Sequence, residues 1–265
     1  MSRDAVRHWE RQHSGDGSLD VVGWAGLGRA FNGWMYAVRR RQFLRVVPRH
    51  VDMGATGRVL DIGSGTGFYL DLWRELGAVR VEGSDMSENA TERLRASHPQ
   101  TPIHRADIAG AADQLPDGPF DAISAMDVLF HILESGEYER AIANLAALLR
   151  PSGHLVMTEN LLDGREHVGP AQVSRSEAEI VALLRRHGLE PVARAPVFVL
   201  MNGPVDSRNP VLHAWWNLLT RVVSYREALG RAGGAVVFPL ELLATRIARR
   251  GPSTKLLICR RAGGP

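Results

Sequence analysis

Hydrophobic and polar positions along the chain fall into two rhythms. Between Gly57 and Glu159 short apolar runs of strand length alternate with stretches whose apolar residues recur at helical spacing. That is the pattern of βαβ units folding into a parallel sheet. Arg58-Val59-Leu60-Asp61-Ile62 predicts a first strand that runs into glycines, and residues 68–76 predict the helix behind them. The series continues with a strand over 79–83, a helix near 87–97, a short strand over 102–105, and a strand over 120–125 before a helix around 138–149. Pro151-Ser152-Gly153 breaks that helix, and 154–158 predicts the fifth strand. A helix over 174–187, with Ser174 as N-cap and Gly188 past its end, leads to an apolar strand over 197–201, and 255–259 predicts the last strand.

Two regions break the rhythm. Residues 1–50 put Leu27, Phe31, Trp34 and Val38 on one helical face. They also hold Trp9, Trp24, Phe31, Trp34, Tyr36 and Phe43, 6 of the chain's 17 aromatic residues, so they predict an aromatic-rich helical arm. Residues 203–253 predict two helices, over 211–231 and 239–250, carrying Trp215, Trp216 and Tyr225, an insertion long enough to form a cap. The expected division is a helical N-terminal arm or lid over 1–50, a core over 51–202, a helical cap insertion over 203–253, and a final core strand and tail over 254–265. The fold class is α/β: a Rossmann-like, doubly wound, mostly parallel seven-stranded sheet with the arm and the insertion added to it.

Composition narrows the chemistry. At 265 residues with 45% hydrophobic and 23% charged side chains, the chain has the make-up of an ordinary globular domain. Its single cysteine, Cys259, excludes an internal disulfide, a cysteine zinc site and a C-x-x-C redox pair, and points to a reducing, cytoplasmic compartment. No apolar stretch follows Met1-Ser2-Arg3-Asp4, and no window approaches the roughly 18 apolar residues of a membrane span, so a soluble protein with no membrane partner is expected. The net charge of +3 is uneven: +5 over 1–50, −8 over 51–150 and +6 over 151–265. Of the 32 basic residues 31 are arginine, and they are scattered in pairs, which does not make a nucleic-acid face.

The informative stretch is Val59-Leu60-Asp61-Ile62-Gly63-Ser64-Gly65-Thr66-Gly67. Glycines at a strand-to-helix turn let backbone approach a ligand, and the helix behind them favours negative charge. The spacing is not that of a dinucleotide turn, because the third glycine falls one residue early. A P-loop is excluded, since no Gly-Lys-Ser/Thr follows and the one lysine is Lys255. Asp61, an acid at the strand end, would repel a pyrophosphate and suits a cationic ligand.

Here the sequence resembles the class I S-adenosylmethionine-dependent methyltransferases, whose first motif reads V-L-D-I-G-x-G-x-G. The resemblance covers roughly residues 55–160. It implies S-adenosyl-L-methionine as cofactor and S-adenosyl-L-homocysteine as product, with Asp61, Gly63, Ser64, Gly65 and Gly67 around the methionyl amino group and the ribose. Asp85, at the end of the second strand, suits the two ribose hydroxyls. By resemblance Met86 flanks the adenine, and the segment Arg105-Ala106-Asp107-Ile108 brings Asp107 and Ile108 to the adenine amine. The segment Ala125-Met126-Asp127-Val128-Leu129-Phe130-His131 is similar to the one that passes Asp127 beneath the methionine portion and faces the substrate. Each acid also has a structural reading: Asp61 as a turn cap, Asp85 as the N-cap of the next helix, Asp107 in an Asx-turn.

Methyl transfer mainly requires alignment of donor and acceptor and, for a hydroxyl, removal of a proton. His131 is the candidate base, and Glu159 is the second catalytic candidate. With Asn160, Asp127 and Glu159 resemble the oxygen set of catechol-type magnesium enzymes, but Glu replaces the second Asp, and no metal is assigned. In small-molecule members a helical N-terminal segment closes over the cofactor, and this places Tyr36 and Arg39 at the methionyl carboxylate or an anionic substrate. The Pro-Pro signature of nucleic-acid amino methyltransferases is absent after the fourth strand, which disfavours a nucleic-acid partner. The expected function is methyl transfer, as O-methylation of an apolar or aromatic small molecule of the natural-product kind, by a monomer or homodimer. The competing readings are an RNA methyltransferase and a cofactor-binding fold that catalyses a different reaction, such as a cyclisation.

Overall fold

The computed structural model describes residues 10, 23–24, 26–52, 54, 57–164, 166–169 and 172–263; Trp9 and the first four residues lie outside them. Among the described residues the α-helices are α1 (Gly28–Val46), α2 (Phe68–Glu75), α3 (Glu88–Ser97), α4 (Ser135–Leu148), α5 (Glu177–Arg186), α6 (Pro210–Val223) and α7 (Glu227–Ile247). The strands are β1 (Arg58–Ile62), β2 (Arg80–Asp85), β3 (Ile103–Arg105), β4 (Phe120–Ala125), β5 (Leu149–Glu159), the short pair β6 (His167–Val168) and β7 (Val173–Ser174), then β8 (Leu189–Pro196) and β9 (Lys255–Arg261). One seven-stranded sheet has the order β3-β2-β1-β4-β5-β9-β8. All of its pairs are parallel except those of β9, which runs antiparallel to β5 and β8. This is the Rossmann-like sheet the sequence predicts, and strand order reverses between β1 and β4, where open α/β sheets bind ligands.

Side chains alternate across each strand and divide the core in two. Val59, Ala122 and Val156 face α1, α2 and the α6–α7 hairpin, in a layer built around Phe31, Phe43 and Trp73. Leu60, Ile123 and Leu155 face α4 and α5, with Tyr138 and Leu184. In the parallel register Asp61 stands opposite Ser124, so the acid lies on the α1–α2 side. The predicted helical face of the arm is inside: Leu27, Phe31 and Val38 are buried and Trp34 packs against that core.

Four predicted elements shift. The strand before the cap is β8, not 197–201. Val197, Phe198 and Met201 are apolar because that loop is buried, where the Glu241 carboxylate accepts the amides of Val199, Leu200 and Met201 at 2.6, 2.6 and 3.0 Å. The helix after β7 is capped by Ser176, not Ser174, through a reciprocal capping box with Glu179. The hairpin breaks at 224–226, and Pro239 lies inside α7 on its exposed side instead of opening a helix. Finally, α7 is long and apolar enough by length and composition to cross a membrane, with mean hydropathy 1.2. Small residues interspersed with large ones hide that property from a search for an unbroken apolar run.

Candidate functional site

The turn after β1 needs glycine for two reasons. Gly63, Gly65 and Gly67 all have left-handed φ, of 67°, 53° and 85°. At Gly63 a Cβ would stand 2.4 Å from Val128 Cγ2, so there is no room for one either. The turn is tied to the end of β2. The Gly63 and Ser64 amides donate to the Ser84 carbonyl at 2.7 and 3.0 Å, and Ser64 Oγ donates to the Asp61 carbonyl at 2.9 Å. Asp85 is buried, and both of its oxygens accept backbone amides, Gly65 to Oδ2 and Ser87 to Oδ1, each at 2.9 Å. The N-cap of α3 is Ser87, not Asp85. The Asp85 carboxylate is thereby fixed in plane beside the glycine turn. Glu10 adds to this edge, accepting from Ser87 Oγ at 3.0 Å and the Glu88 amide at 2.6 Å.

Asp61 is buried at the base of the turn. Ser124 Oγ donates to its Oδ1 at 2.5 Å and accepts from Trp73 Nε1 at 2.8 Å. Its Oδ2 is buried without a hydrogen-bond partner. Burial pushes its pKa up to about 7, against the hydroxyls of Ser124 and Ser64 and with the Asp85 charge adding to the rise. A buried carboxylate oxygen with nothing to accept at the carboxyl edge of the sheet fits a cationic ligand.

Asp127 forms the second corner. It adopts φ 58°, its amide donates to Thr158 Oγ1 at 2.6 Å, and Thr158 Oγ1 donates back to Oδ1 at 2.9 Å. Arg39 of α1 donates from Nε to Asp127 Oδ2 at 2.9 Å. The Arg39 guanidinium lies 5.1 Å from the centroid of the Tyr36 ring and 4.8 Å from that of Phe198. Tyr36 meets Phe68 edge to face at 4.8 Å, and burial pushes its hydroxyl up to about 12, so it stays a neutral donor. The structure therefore brings Tyr36, Arg39, Asp61 and Asp127 to one face of the sheet at its carboxyl edge.

The other predicted residues sit around it. Met86 is half-buried at the end of β2, and Asp107 is half-buried in an Asx-turn whose Oδ1 accepts the Ala109 amide at 2.9 Å. Ile108 is buried among the α4-side residues. His131 is half-buried at the end of the 3-10 turn Leu129–His131, its ring 4.6 Å from that of Phe130. Glu159 is not brought to the cluster. One residue beyond Thr158, it faces the opposite side of the sheet, where Tyr138 Oη donates to its Oε1 at 3.0 Å and Arg175 lies 3.9 Å over the Tyr138 ring. Burial pushes Glu159 up to about 8 against the Tyr138 and Arg175 interactions. Asn160 is held by Ser174 and Thr254, so Asp127, Glu159 and Asn160 do not converge. Sequence reasoning missed Ser124 and Thr158; the signal was a hydroxyl inside each of two otherwise apolar strand ends.

The family described as Methyltransferase domain matches residues 32–195. A tRNA U34 carboxymethyltransferase of Idiomarina loihiensis is 32% identical over 127 residues, covering 46% of this chain and 38% of that protein, so the chain spans well under half of that relative's length. The solved N-methyltransferase NodS from Bradyrhizobium japonicum, in complex with S-adenosyl-L-homocysteine, is similar in fold: TM-score 0.57, 17% identity, covering 97% of this chain and 98% of that one. The magnesium protoporphyrin IX methyltransferase of Synechocystis with bound S-adenosylmethionine gives TM-score 0.58 at 16% identity, covering 98% and 99%. The expectation that nucleic acid is no partner gains no support from the tRNA-directed relative.

Proposed function

The chain belongs to the methyltransferase domain family of class I S-adenosylmethionine-dependent enzymes, and from that premise we propose that its acceptor is a small apolar or aromatic molecule methylated on oxygen. The cofactor supplies a methyl group made electrophilic by a sulfonium. The residues fit it: the open Asp61 Oδ2 suits the methionyl ammonium, Asp85 the ribose hydroxyls, Asp107 the adenine amine and Arg39 the methionyl carboxylate. His131, after β4, is the group to hold the acceptor's proton.

The observation that carries the small-molecule reading is the cover over the site. Arg39 is only 10% exposed, lodged between the buried Tyr36 and Phe198 rings and paired to Asp127, so α1 covers one side of the site with an apolar, aromatic layer. A site covered in this way favours an apolar acceptor, which gains buried area. A second reading, an RNA acceptor, draws on the tRNA-directed relative, whose match covers 38% of its length.

The deciding experiment gives the purified chain methyl-labelled S-adenosylmethionine with either a small-metabolite extract or bulk tRNA. Label is expected in solvent-extractable product and not in RNA. Ribonuclease-sensitive label would transfer the assignment to RNA, and cofactor binding by calorimetry with no label in either pool would sink methyl transfer to both.

A further inference from the structure

Helix α7 is packed inside out. Its buried positions are Gly230, Gly234, Val237, Glu241 and Thr245, while Leu229, Val236, Leu240, Leu243 and Ile247 are exposed. Steps of seven, four, three and four residues place those five on one arc of the helix. The inner face is committed elsewhere. Trp34 occupies the space over Gly234, where a Cβ would stand 2.0 Å from its ring, Glu241 holds the 199–201 loop, and Thr245 accepts from Gln42 Nε2 at 2.7 Å. On α6, Val211, Leu218 and Val222 are exposed in the same manner, and Tyr225 follows them. Apolar area on this scale, absent a partner, marks an interaction surface.

The charge around it is mostly positive. Of the two acids of the hairpin, Glu241 is buried and Glu227, exposed, accepts the Arg29 and Ala30 amides at 2.8 Å each. Arg221, Arg226, Arg231 and Arg246 are exposed. About a third of a turn around α7 from the stripe, α1 and α7 border a cleft of about 320 Å³ lined by Arg41, Gln42, Leu44, Arg45, Leu242 and Arg246. Arg45 Nε donates to Gln42 Oε1 at 3.2 Å, and among the described residues no carboxylate pairs with Arg41, Arg45 or Arg246. Burial and the charges of Arg49 and Arg246 lower the pKa of Arg45, the mark of a cation cluster lacking its anion.

We propose that the α6–α7 hairpin docks on an anionic phospholipid surface. Leu229, Val236, Leu240, Leu243 and Ile247 enter the acyl boundary, and the cleft of Arg41, Arg45 and Arg246 receives headgroup phosphates. RNA phosphates would answer to the arginines but leave the row of exposed leucines, which neither stack on bases nor hydrogen-bond to them, without a role. A second copy packed stripe to stripe would bring two uncompensated arginine clefts together.

The test is flotation of the full chain with vesicles of phosphatidylcholine alone and of phosphatidylcholine with phosphatidylglycerol. The chain is expected to float with the anionic vesicles and at least about fivefold less with the neutral ones. Leu240→Asp with Leu243→Asp abolishes flotation, and Arg41→Gln or Arg246→Gln weakens partitioning about fivefold each, more at low salt. These side chains are exposed or line an open cleft, and an unchanged melting temperature and S-adenosylhomocysteine affinity verify that each variant is folded. Absence of flotation with anionic vesicles, or flotation that survives the two aspartates, overturns the proposal. So does a concentration-dependent dimer lost in Leu243→Asp, or tRNA binding lost in Arg41→Gln, where vesicles bind nothing.

Discussion

Arg39 and Asp127, 88 residues apart, form an ion pair at 2.9 Å that joins the arm helix to the loop after β4. The pair is 10% and 26% exposed at its two side chains, so it is shielded from solvent more than a surface bridge and couples cover to site. Burial disfavours the Arg39 charge, and the Asp127 carboxylate beside it favours it, so the guanidinium stays charged. Replacing Arg39 with alanine leaves Asp127 without its cation and removes the group assigned to the methionyl carboxylate. Cofactor affinity by calorimetry is expected to fall roughly tenfold to a hundredfold, with Arg39→Lys intermediate, because lysine gives a point charge without the fork. Undiminished affinity in Arg39→Ala would remove it from the binding set.

Asp61 makes binding pH-dependent, with a sign fixed by its environment. Its pKa is about 7 in the folded chain against an ordinary 3.8, so it is protonated below neutrality when no cation faces it. A cationic ligand favours the carboxylate, so cofactor affinity should rise with pH toward about 8, by at most about tenfold per unit, with proton release on binding at pH about 6. The stability sign is opposite. A raised folded pKa means the Asp61 contribution is fully present below its unfolded value and is lost as pH rises through about 7, and Glu159, at about 8, acts in the same direction. The ligand-free melting temperature is thus expected to drop from pH about 5 to about 8, and Asp61→Asn should flatten both trends.

Asp61 was legible in the sequence because its signal is local, a charge breaking an apolar run with glycines in the next positions, and Asp85 because it closes the second predicted strand. Ser124 was not, since its role depends on the parallel register that sets it opposite Asp61. Glu159 was assigned to the pocket by its position at a strand end, yet Thr158, one residue earlier, is the side chain that turns to Asp127. A shift of one residue along a strand exchanges faces, and composition carries no record of it. The strand before the cap was misplaced for a related reason. β8 carries Glu190 and Arg194 among its residues, whereas the apolar 197–201 segment owes its burial to Glu241, 40 residues on.

Gly63 is required on two counts that a pair of variants separates. Gly63→Ala imposes a left-handed φ on a residue with a side chain and drives its Cβ toward Val128, at a cost of roughly 2 kcal/mol or more. Val128→Ala removes the methyl that is struck but not the backbone strain, so the double variant should regain about half of the lost stability in denaturant melts. Full recovery would mean that the turn tolerates a side chain here and that the contact alone matters.

His131 is the remaining test of how the proton leaves the acceptor. Its ring is half-buried beside Phe130, at the end of the turn that follows Asp127, on the loop leaving the carboxyl edge of the sheet. If it takes the acceptor's proton, His131→Ala should lower turnover by roughly 10²-fold or more with cofactor affinity unchanged, and the pH profile of the variant's rate should differ from the wild type's. A lowered rate that keeps the wild-type pH profile would instead mark His131 as a wall of the acceptor pocket. Equal rates would leave alignment of donor and acceptor as the main source of acceleration, because an in-line displacement on an activated methyl group gains several powers of ten from positioning alone.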